Sequence, residues 1–177
     1  MAQAPRVHVQ MELDEGSMCE WARRLGAQLE AGDVLLLSGP MGTGKTTLTR
    51  ALAVGMGVLR PERVCSPTYT VCMEHPGPLT LVHIDLFRLG ETSGGSVGAA
   101  AFESLGLEYD ELPGPGRVMV VEWAELWAQP PEPWLGITLE RAVGHSATRS
   151  LSLLRRGERW TRATLPAAPT AAGPISE

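Results

Sequence analysis

The chain has almost no lysine. Of its 177 residues, 15 are basic, and Lys45 is the single lysine among them. The net charge is -5 and the isoelectric point is near 5.4. A protein that binds nucleic acid without a partner needs a broad basic surface, and this composition argues against such a surface. We therefore expect any RNA to be contacted only through a partner.

Cysteines and long apolar runs are also scarce. The three cysteines, Cys19, Cys65 and Cys72, are odd in number and lack C-x-x-C spacing. This argues against a disulfide framework or a zinc site and favours a reducing compartment. No apolar run approaches the length that spans a membrane, and the N-terminal residues lead into no signal-peptide core. We expect a cytoplasmic protein with no membrane contact.

The length and apolar content of the chain are typical of one compact domain. Apolar residues make up 44% of the chain, which suffices for a core at this length. We expect a single domain over residues 1–162. A Pro- and Ala-rich tail over residues 163–177 is expected to be disordered. Four arginines before this tail are expected to form a solvated basic cluster: Arg155, Arg156, Arg159 and Arg162.

The chain is organised around the segment GPMGTGKTT at residues 39–47, which fits the pattern G-x-x-x-x-G-K-[ST] at every required position. An apolar run at residues 34–37 precedes it, and apolar residues at helical spacing follow it. In such a loop, backbone N–H groups bind phosphate oxygens at the start of a helix. The lysine reaches the β- and γ-phosphates and the Ser/Thr hydroxyl binds Mg²⁺. The sequence thus predicts a bound nucleoside triphosphate, with Lys45 and Thr46 in these two roles.

Two later strands end on an acidic residue. The apolar run at residues 79–85 ends on Asp85, and the run at residues 118–123 ends on Glu122 and Trp123. In phosphate-loop proteins an acid at such a strand end holds Mg²⁺ directly or through water. The sequence does not rank the two carboxylates for this role. His83 shares a strand face with Asp85 but has no partner at metal-ligand spacing, which favours a structural role.

The remaining patterns predict an α/β fold. Alternating apolar residues indicate a strand over residues 6–13, and the spacing of Ser17 and Glu20 is that of a capping box at the start of a helix. The apolar stripe of this helix is predicted to comprise Met18, Trp21, Ala22, Leu25 and Leu29.

The second half of the chain is less regular. Residues 64–71 are interpreted as a turn into an edge strand, with a loop that orders around a γ-phosphate through Ser66 and Thr68 as the alternative. The glycine-rich residues 91–101 are expected to form a flexible surface loop. The last predicted elements are a short helix at 102–107 and a closing pair of strands at 134–140 and 149–154.

Taken together, four segments resemble the bacterial TsaE family, the ATPases of tRNA threonylcarbamoyladenosine biosynthesis. The segments are GPMGTGKTT at 39–47, SPTY at 66–69, HIDLFRL at 83–89 and VEWAE at 121–125. The first is common to all phosphate-loop proteins, whereas the other three together are specific. Many family members have Asp-Leu or Asn-Leu in place of Pro40-Met41, and Tyr in place of Phe87.

The resemblance implies a small single-domain α/β fold, a phosphate-loop sheet flanked by helices that binds ATP with Mg²⁺. It also implies work with a threonylcarbamoyl transferase and its scaffold protein on adenosine 37 of tRNAs that read codons beginning with A. In this scheme ATP hydrolysis supports repeated turnover of the complex, and the ATPase does not itself transfer the threonylcarbamoyl group.

The resemblance further implies roles for individual residues. Thr46 and Glu122 would bind Mg²⁺, Asp85 would be needed for hydrolysis, Thr68 would lie in a switch-like loop, and Trp123 would lie beside the nucleotide. The expected ATP contacts are Gly39, Met41, Gly42, Thr43, Gly44, Lys45, Thr46, Thr47 and Trp123. The catalytic candidates are Asp85, Glu122 and Thr68, and the metal-ligand candidates are Thr46, Glu122 and Asp85.

Three other functions fit a phosphate loop. A regulatory GTPase is excluded because its [NT]-K-x-D motif needs a second lysine. A small-molecule kinase stays open through the C-terminal arginines, which could form a lid. A nucleotide-dependent assembly module with incidental hydrolysis also stays open.

Overall fold

The computed structural model describes residues 8–67, 69–142, 144 and 147–169. Its strands are β1 (His8–Asp14), β2 (Val34–Ser38), β3 (Cys72–His75), β4 (Thr80–Asp85), β5 (Arg117–Glu122), β6 (Trp134–Arg141) and β7 (Thr148–Arg156). Its α-helices are α1 (Glu15–Gly26), α2 (Lys45–Gly55), α3 (Phe87–Thr92), α4 (Ala99–Ser104) and α5 (Glu158–Arg162). Within the described ranges, no helix has the length and apolar content needed to cross a bilayer.

The strands form one mixed sheet in the order β1-β7-β6-β2-β5-β4-β3. The four central strands β6, β2, β5 and β4 run parallel, while β1, β7 and β3 run antiparallel to their neighbours. The carboxyl ends of β2, β5 and β4 therefore meet at one edge of the sheet. This sheet confirms the predicted α/β fold, and the edge it creates is where ligands bind in such sheets.

Both faces of the central strands are buried. On β2, Leu35 and Leu37 belong to the core beneath α1 and α2, whereas Val34 and Leu36 belong to a second core on the opposite face. This alternation follows from the two-residue period of a strand, and it explains the continuous apolar runs. Glu122 of β5 shares a strand face with Val118 and Val120, which belong to the core beneath α1 and α2. Its side chain is therefore directed towards α2.

The first helix begins earlier than its capping-box pattern predicts. Asp14, not Ser17, is the N-cap, and its carboxylate accepts a hydrogen bond from the Ser17 N–H at 2.7 Å. Aspartate is as good a cap as serine, so the helix starts as soon as β1 ends. The predicted apolar stripe is buried as expected. The predicted start of β1 at residue 6 lies outside the described residues.

The glycine-rich stretch at residues 91–101 is not a continuous surface loop. Helix α3 covers its first two residues and α4 its last three. Between them, Val97 is fully buried and its N–H donates to the Leu126 carbonyl at 2.7 Å. The buried Val97 therefore anchors this stretch of small residues, through a contact that composition does not reveal.

The C-terminal arginines are also more structured than expected. The Arg159 guanidinium donates to both carboxylate oxygens of the buried Asp33, at 3.0 and 2.9 Å. Arg155 lies in β7 and donates to the Ala163 carbonyl at 3.0 Å. Buried carboxylates and carbonyls need hydrogen-bond partners, and these two arginines supply them. The contacts hold the C-terminal segment against the sheet.

Residues 163–166 still pack against the domain, beyond the predicted boundary at residue 162. The Trp21 Nε1–H, in the core, donates to the Pro166 carbonyl at 3.0 Å, and Leu165 packs against the same core. For residues 170–177, which lie outside the described part, disorder stays a prediction.

Shortening the chain tests this packing. Ending the protein at Arg162 removes Pro166 and Leu165, and we expect it to lower the free energy of unfolding by about 2 kcal/mol. A matched variant that ends at Pro169 keeps both contacts and should stay within about 0.5 kcal/mol of the full chain. Urea denaturation of the three proteins measures the difference. Equal stability of the two shortened chains would contradict the packing described above.

Candidate functional site

The glycine-rich loop leaves the end of β2 and turns into α2. At Gly39, φ is 129°, and a Cβ there would collide with the carbonyl oxygen of Leu139 on the neighbouring strand β6. Gly44 caps α2 with φ of 103°. Because side chains disfavour this region of φ, glycine is required at both positions. The loop is thereby held close to the sheet edge with the start of α2 facing outward.

Lys45 is folded under the loop. Its side-chain Nζ donates to the carbonyls of Gly39 at 2.6 Å and Pro40 at 3.0 Å, and it lies 4.0 Å from the centre of the Trp123 ring. The residue is only 5% exposed. Burial lowers the pKa of the Lys45 ammonium from its usual value, while the charge of Glu122 acts in the opposite direction. The ammonium of Lys45 thus lies beside the loop that would surround a phosphate.

Glu122, at the end of β5, lies next to the first turn of α2. Its Oε2 accepts a hydrogen bond from the Thr46 hydroxyl at 2.9 Å. Its Oε1 accepts from His83 Nε2 at 2.8 Å. The Thr49 hydroxyl, which donates to the Lys45 carbonyl at 3.0 Å, lies 3.4 Å from the same oxygen. The carboxylate is buried, with its oxygens fixed in direction by these partners. A hydroxyl and a carboxylate oxygen therefore meet where the loop becomes the helix.

Asp85 lies beside Glu122 but has different partners. The two residues are paired in the register of the parallel strands β4 and β5. The Asp85 carboxylate accepts from the Ser66 hydroxyl at 2.6 Å and from the Phe87 N–H at 3.0 Å. The structure thus directs Asp85 towards the segment before β3, and Glu122 towards the loop and α2.

A cavity of about 450 Å³ opens over this edge of the sheet. Nine of the sequence-predicted residues line it: Met41, Gly42, Gly44, Lys45, Thr46, Thr47, Asp85, Glu122 and Trp123. Gly39 and Thr43 belong to the loop but do not line the cavity; the Thr43 hydroxyl donates to the Pro40 carbonyl at 2.9 Å. Thr68 lies outside the described residues.

Comparison with known proteins places the chain in a family. Residues 13–150 match the family model described as "Threonylcarbamoyl adenosine biosynthesis protein TsaE". The chain belongs to the TsaE family. This confirms the resemblance drawn from the four sequence segments.

Several relatives agree with this assignment. A protein of Streptomyces coelicolor named tRNA threonylcarbamoyladenosine biosynthesis protein TsaE is 40% identical over 153 residues, which cover 82% of this chain and 95% of the relative. The Bacillus subtilis protein of the same name is 40% identical over 123 residues, covering 68% and 70%. The crystal structure of Bacillus subtilis YdiB superposes with a TM-score of 0.67 at 28% identity, covering 90% of this chain and 93% of that one.

Four cavity residues were not predicted as site residues from the sequence: Glu15, Ser66, Phe87 and Arg149. Ser66 enters the sequence analysis only in the alternative interpretation of residues 64–71, as part of a loop that orders around a γ-phosphate. Arg149 is the second residue of β7, and its Nε donates to the carbonyl of Thr43 in the loop at 3.0 Å. Strand β6 runs parallel to β2 and ends at the loop end of the sheet, so the antiparallel β7 begins there. Arg149 lies beside the phosphate loop because β6 pairs with β2, and the sequence alone does not predict that these two strands are neighbours.

Trp123 follows Glu122 in a left-handed backbone conformation, with φ of 58° and ψ of 39°. Such a conformation is costly for a residue with a large side chain, and it is tolerated where the surroundings enforce it. Here the ring packs against Phe87 at 4.9 Å between centres, and Lys45 lies over it. The turn thus aims the indole back into the cavity of this TsaE family member.

The oxygen atoms at the site suit Mg²⁺. No cluster of three or more acidic, histidine or cysteine side chains able to hold a metal ion occurs among the described residues. Magnesium in phosphate-loop sites needs no such cluster, because it takes one or two protein oxygens and completes its shell with phosphates and water. The Thr46 hydroxyl and the Glu122 carboxylate, 2.9 Å apart, are oxygen donors of this kind.

Proposed function

We propose that the chain is an ATPase that binds ATP with Mg²⁺ in the cavity at the loop end of the sheet. The observation that carries the proposal is the convergence of Lys45, Thr46, Glu122 and Asp85, from three separate elements, around one cavity. Membership of the TsaE family supports the choice of nucleotide and pathway.

In this proposal each residue has a distinct task. Lys45 leaves the carbonyls of Gly39 and Pro40 and binds the β- and γ-phosphates, while the loop N–H groups bind the remaining phosphate oxygens. Thr46 and Glu122 hold Mg²⁺, which when bound neutralises phosphate charge. Asp85 orients the attacking water, because its carboxylate faces the segment before β3 and not the Thr46 hydroxyl. Phosphoryl transfer depends mainly on such positioning and electrostatics.

We further propose that the ATPase supports formation of threonylcarbamoyladenosine on tRNA together with a threonylcarbamoyl transferase and its scaffold protein. The family description and the names of the relatives support this pathway. The net charge of -5 supports indirect contact with tRNA, through the complex. The proposal puts the protein in the cytoplasm.

The kinase alternative rested on C-terminal arginines that could form a lid over the nucleotide, and their positions in the fold argue against such a lid. Arg159 binds Asp33, which directly precedes β2, and Arg155 pairs in register with Leu135 near the start of β6. Both arginines therefore lie at the end of the sheet opposite the loop, where they cannot close over a nucleotide.

Reconstitution tests the proposed pathway. The purified chain, its transferase and scaffold partners from the same source and an unmodified tRNA would be combined with ATP and a threonylcarbamoyl donor. We expect mass spectrometry of the digested tRNA to show several modified tRNAs per complex, falling to one or fewer when this chain is omitted. Equal modification with and without the chain would contradict the pathway assignment.

A further inference from the structure

His83 contacts Glu122 from inside the protein. The imidazole Nε2 lies 2.8 Å from Glu122 Oε1, and the Thr49 hydroxyl approaches the same oxygen at 3.4 Å. The other oxygen, Oε2, accepts from the Thr46 hydroxyl. One carboxylate oxygen is thus tied to the interior of the sheet, and the second is presented to the loop.

The hydrogen bond fixes the tautomer of His83. A carboxylate oxygen can only accept, so His83 Nε2 carries the hydrogen and donates it. His83 is 0% exposed, and its Nδ1 has no hydrogen-bond partner within the described part of the chain. The contact with Glu122 is therefore made through one donor, the Nε2–H of His83.

We propose that His83 is a positioning residue for the Mg²⁺ site: its Nε2–H holds Glu122 Oε1 so that Oε2, with the Thr46 hydroxyl, faces the metal. This inference rests on the proposed function. Groups that orient metal ligands in this way typically set affinity for the metal, and their loss costs about 10- to 100-fold. His83 therefore does more than fill space on β4, the structural role that its isolated position in the sequence favours.

The neighbouring His75 provides a matched control. It is also buried, at 5% exposure, and its ring centre lies 6.2 Å from that of His83. It belongs to β3, which lies on the other side of β4 from β5. Strand β4 therefore separates His75 from Glu122, and a substitution there disturbs a buried histidine without removing the hydrogen bond to the carboxylate.

The test is calorimetric titration of ATP at increasing Mg²⁺ and, separately, in EDTA. For His83→Leu we expect the Mg²⁺ concentration for half-maximal ATP binding to rise about tenfold or more. Binding of ATP in EDTA should stay within about twofold, because His83 acts on the metal ligand alone. His83→Gln, whose amide nitrogen reaches the position of Nε2, should restore most of the Mg²⁺ dependence. His83→Asn, whose amide is shorter, should not.

The control His75→Leu should leave the Mg²⁺ dependence unchanged. An unchanged Mg²⁺ dependence in His83→Leu would overturn the positioning role, as would equal behaviour of the Gln and Asn variants. If His83→Leu does not fold, the comparison of Gln with Asn still decides. Failure of the unaltered protein to bind ATP under any condition would instead overturn the proposed function.

Discussion

Replacement of Lys45 by alanine should abolish productive ATP binding, with a loss of affinity of at least about 100-fold. Lys45 is the lysine of the phosphate loop and the single lysine of the chain, so no second ammonium can replace it. Hydrogen bonds to charged groups contribute about 1.5–3 kcal/mol each, and two of them to phosphate oxygens account for this loss. Calorimetric titration with ATP and Mg²⁺ measures the affinity.

Lys45→Arg is the matched variant for this prediction. It keeps the positive charge, but the planar guanidinium does not fit the place of a compact ammonium between Gly39, Pro40 and the Trp123 ring. We expect weak residual binding. Thermal unfolding without nucleotide would show whether either variant harms the fold. Full ATP turnover by Lys45→Ala would overturn the assignment of the site.

Substitution of Asp85 by alanine should separate binding from hydrolysis. Asp85 faces Ser66 and the Phe87 N–H, whereas Glu122 faces Thr46. We therefore expect ATP affinity within about threefold of the original, with hydrolysis lower by about 10²- to 10⁴-fold, as for loss of a group that positions or deprotonates water. Nucleotide titration and a turnover assay on the same preparation give both quantities.

Asp85→Asn is the control for the local structure. The substitution removes the negative charge, but the amide oxygen of the asparagine can still accept the hydrogen bond from the Phe87 N–H. We expect it to lose hydrolysis as Asp85→Ala does. Equal loss of binding and hydrolysis in both variants would assign Asp85 to nucleotide or metal binding instead of water positioning.

Features encoded by local sequence could be predicted. The phosphate loop, the strands that end on Asp85 and Glu122, and the closing strand pair each depend on residues within a short window. The family resemblance rested on the same segments. The patterns of residues did not rank the two carboxylates, and the proposed division of their roles draws on the family resemblance and on the contact of Glu122, not Asp85, with the hydroxyl of Thr46.

Features that depend on distant parts of the chain could not be predicted. Arg149 reaches the loop only because β6 pairs with β2 and β7 folds back along β6. Arg159 had the sequence environment of a solvated residue, yet its partner Asp33 lies 126 positions earlier. Val97 anchors a stretch that composition alone describes as a loop. In each case the decisive contact is tertiary.

Steady-state ATP hydrolysis tests the central claim most directly. The purified chain would be assayed alone and then with the transferase and scaffold proteins together. We predict slow hydrolysis by the chain alone and a strong rise in the complex, with the rise lost in Asp85→Ala. Hydrolysis that the partners leave unchanged would contradict the account. Nucleotide-dependent assembly of the complex without added turnover would assign the chain to the class of assembly modules.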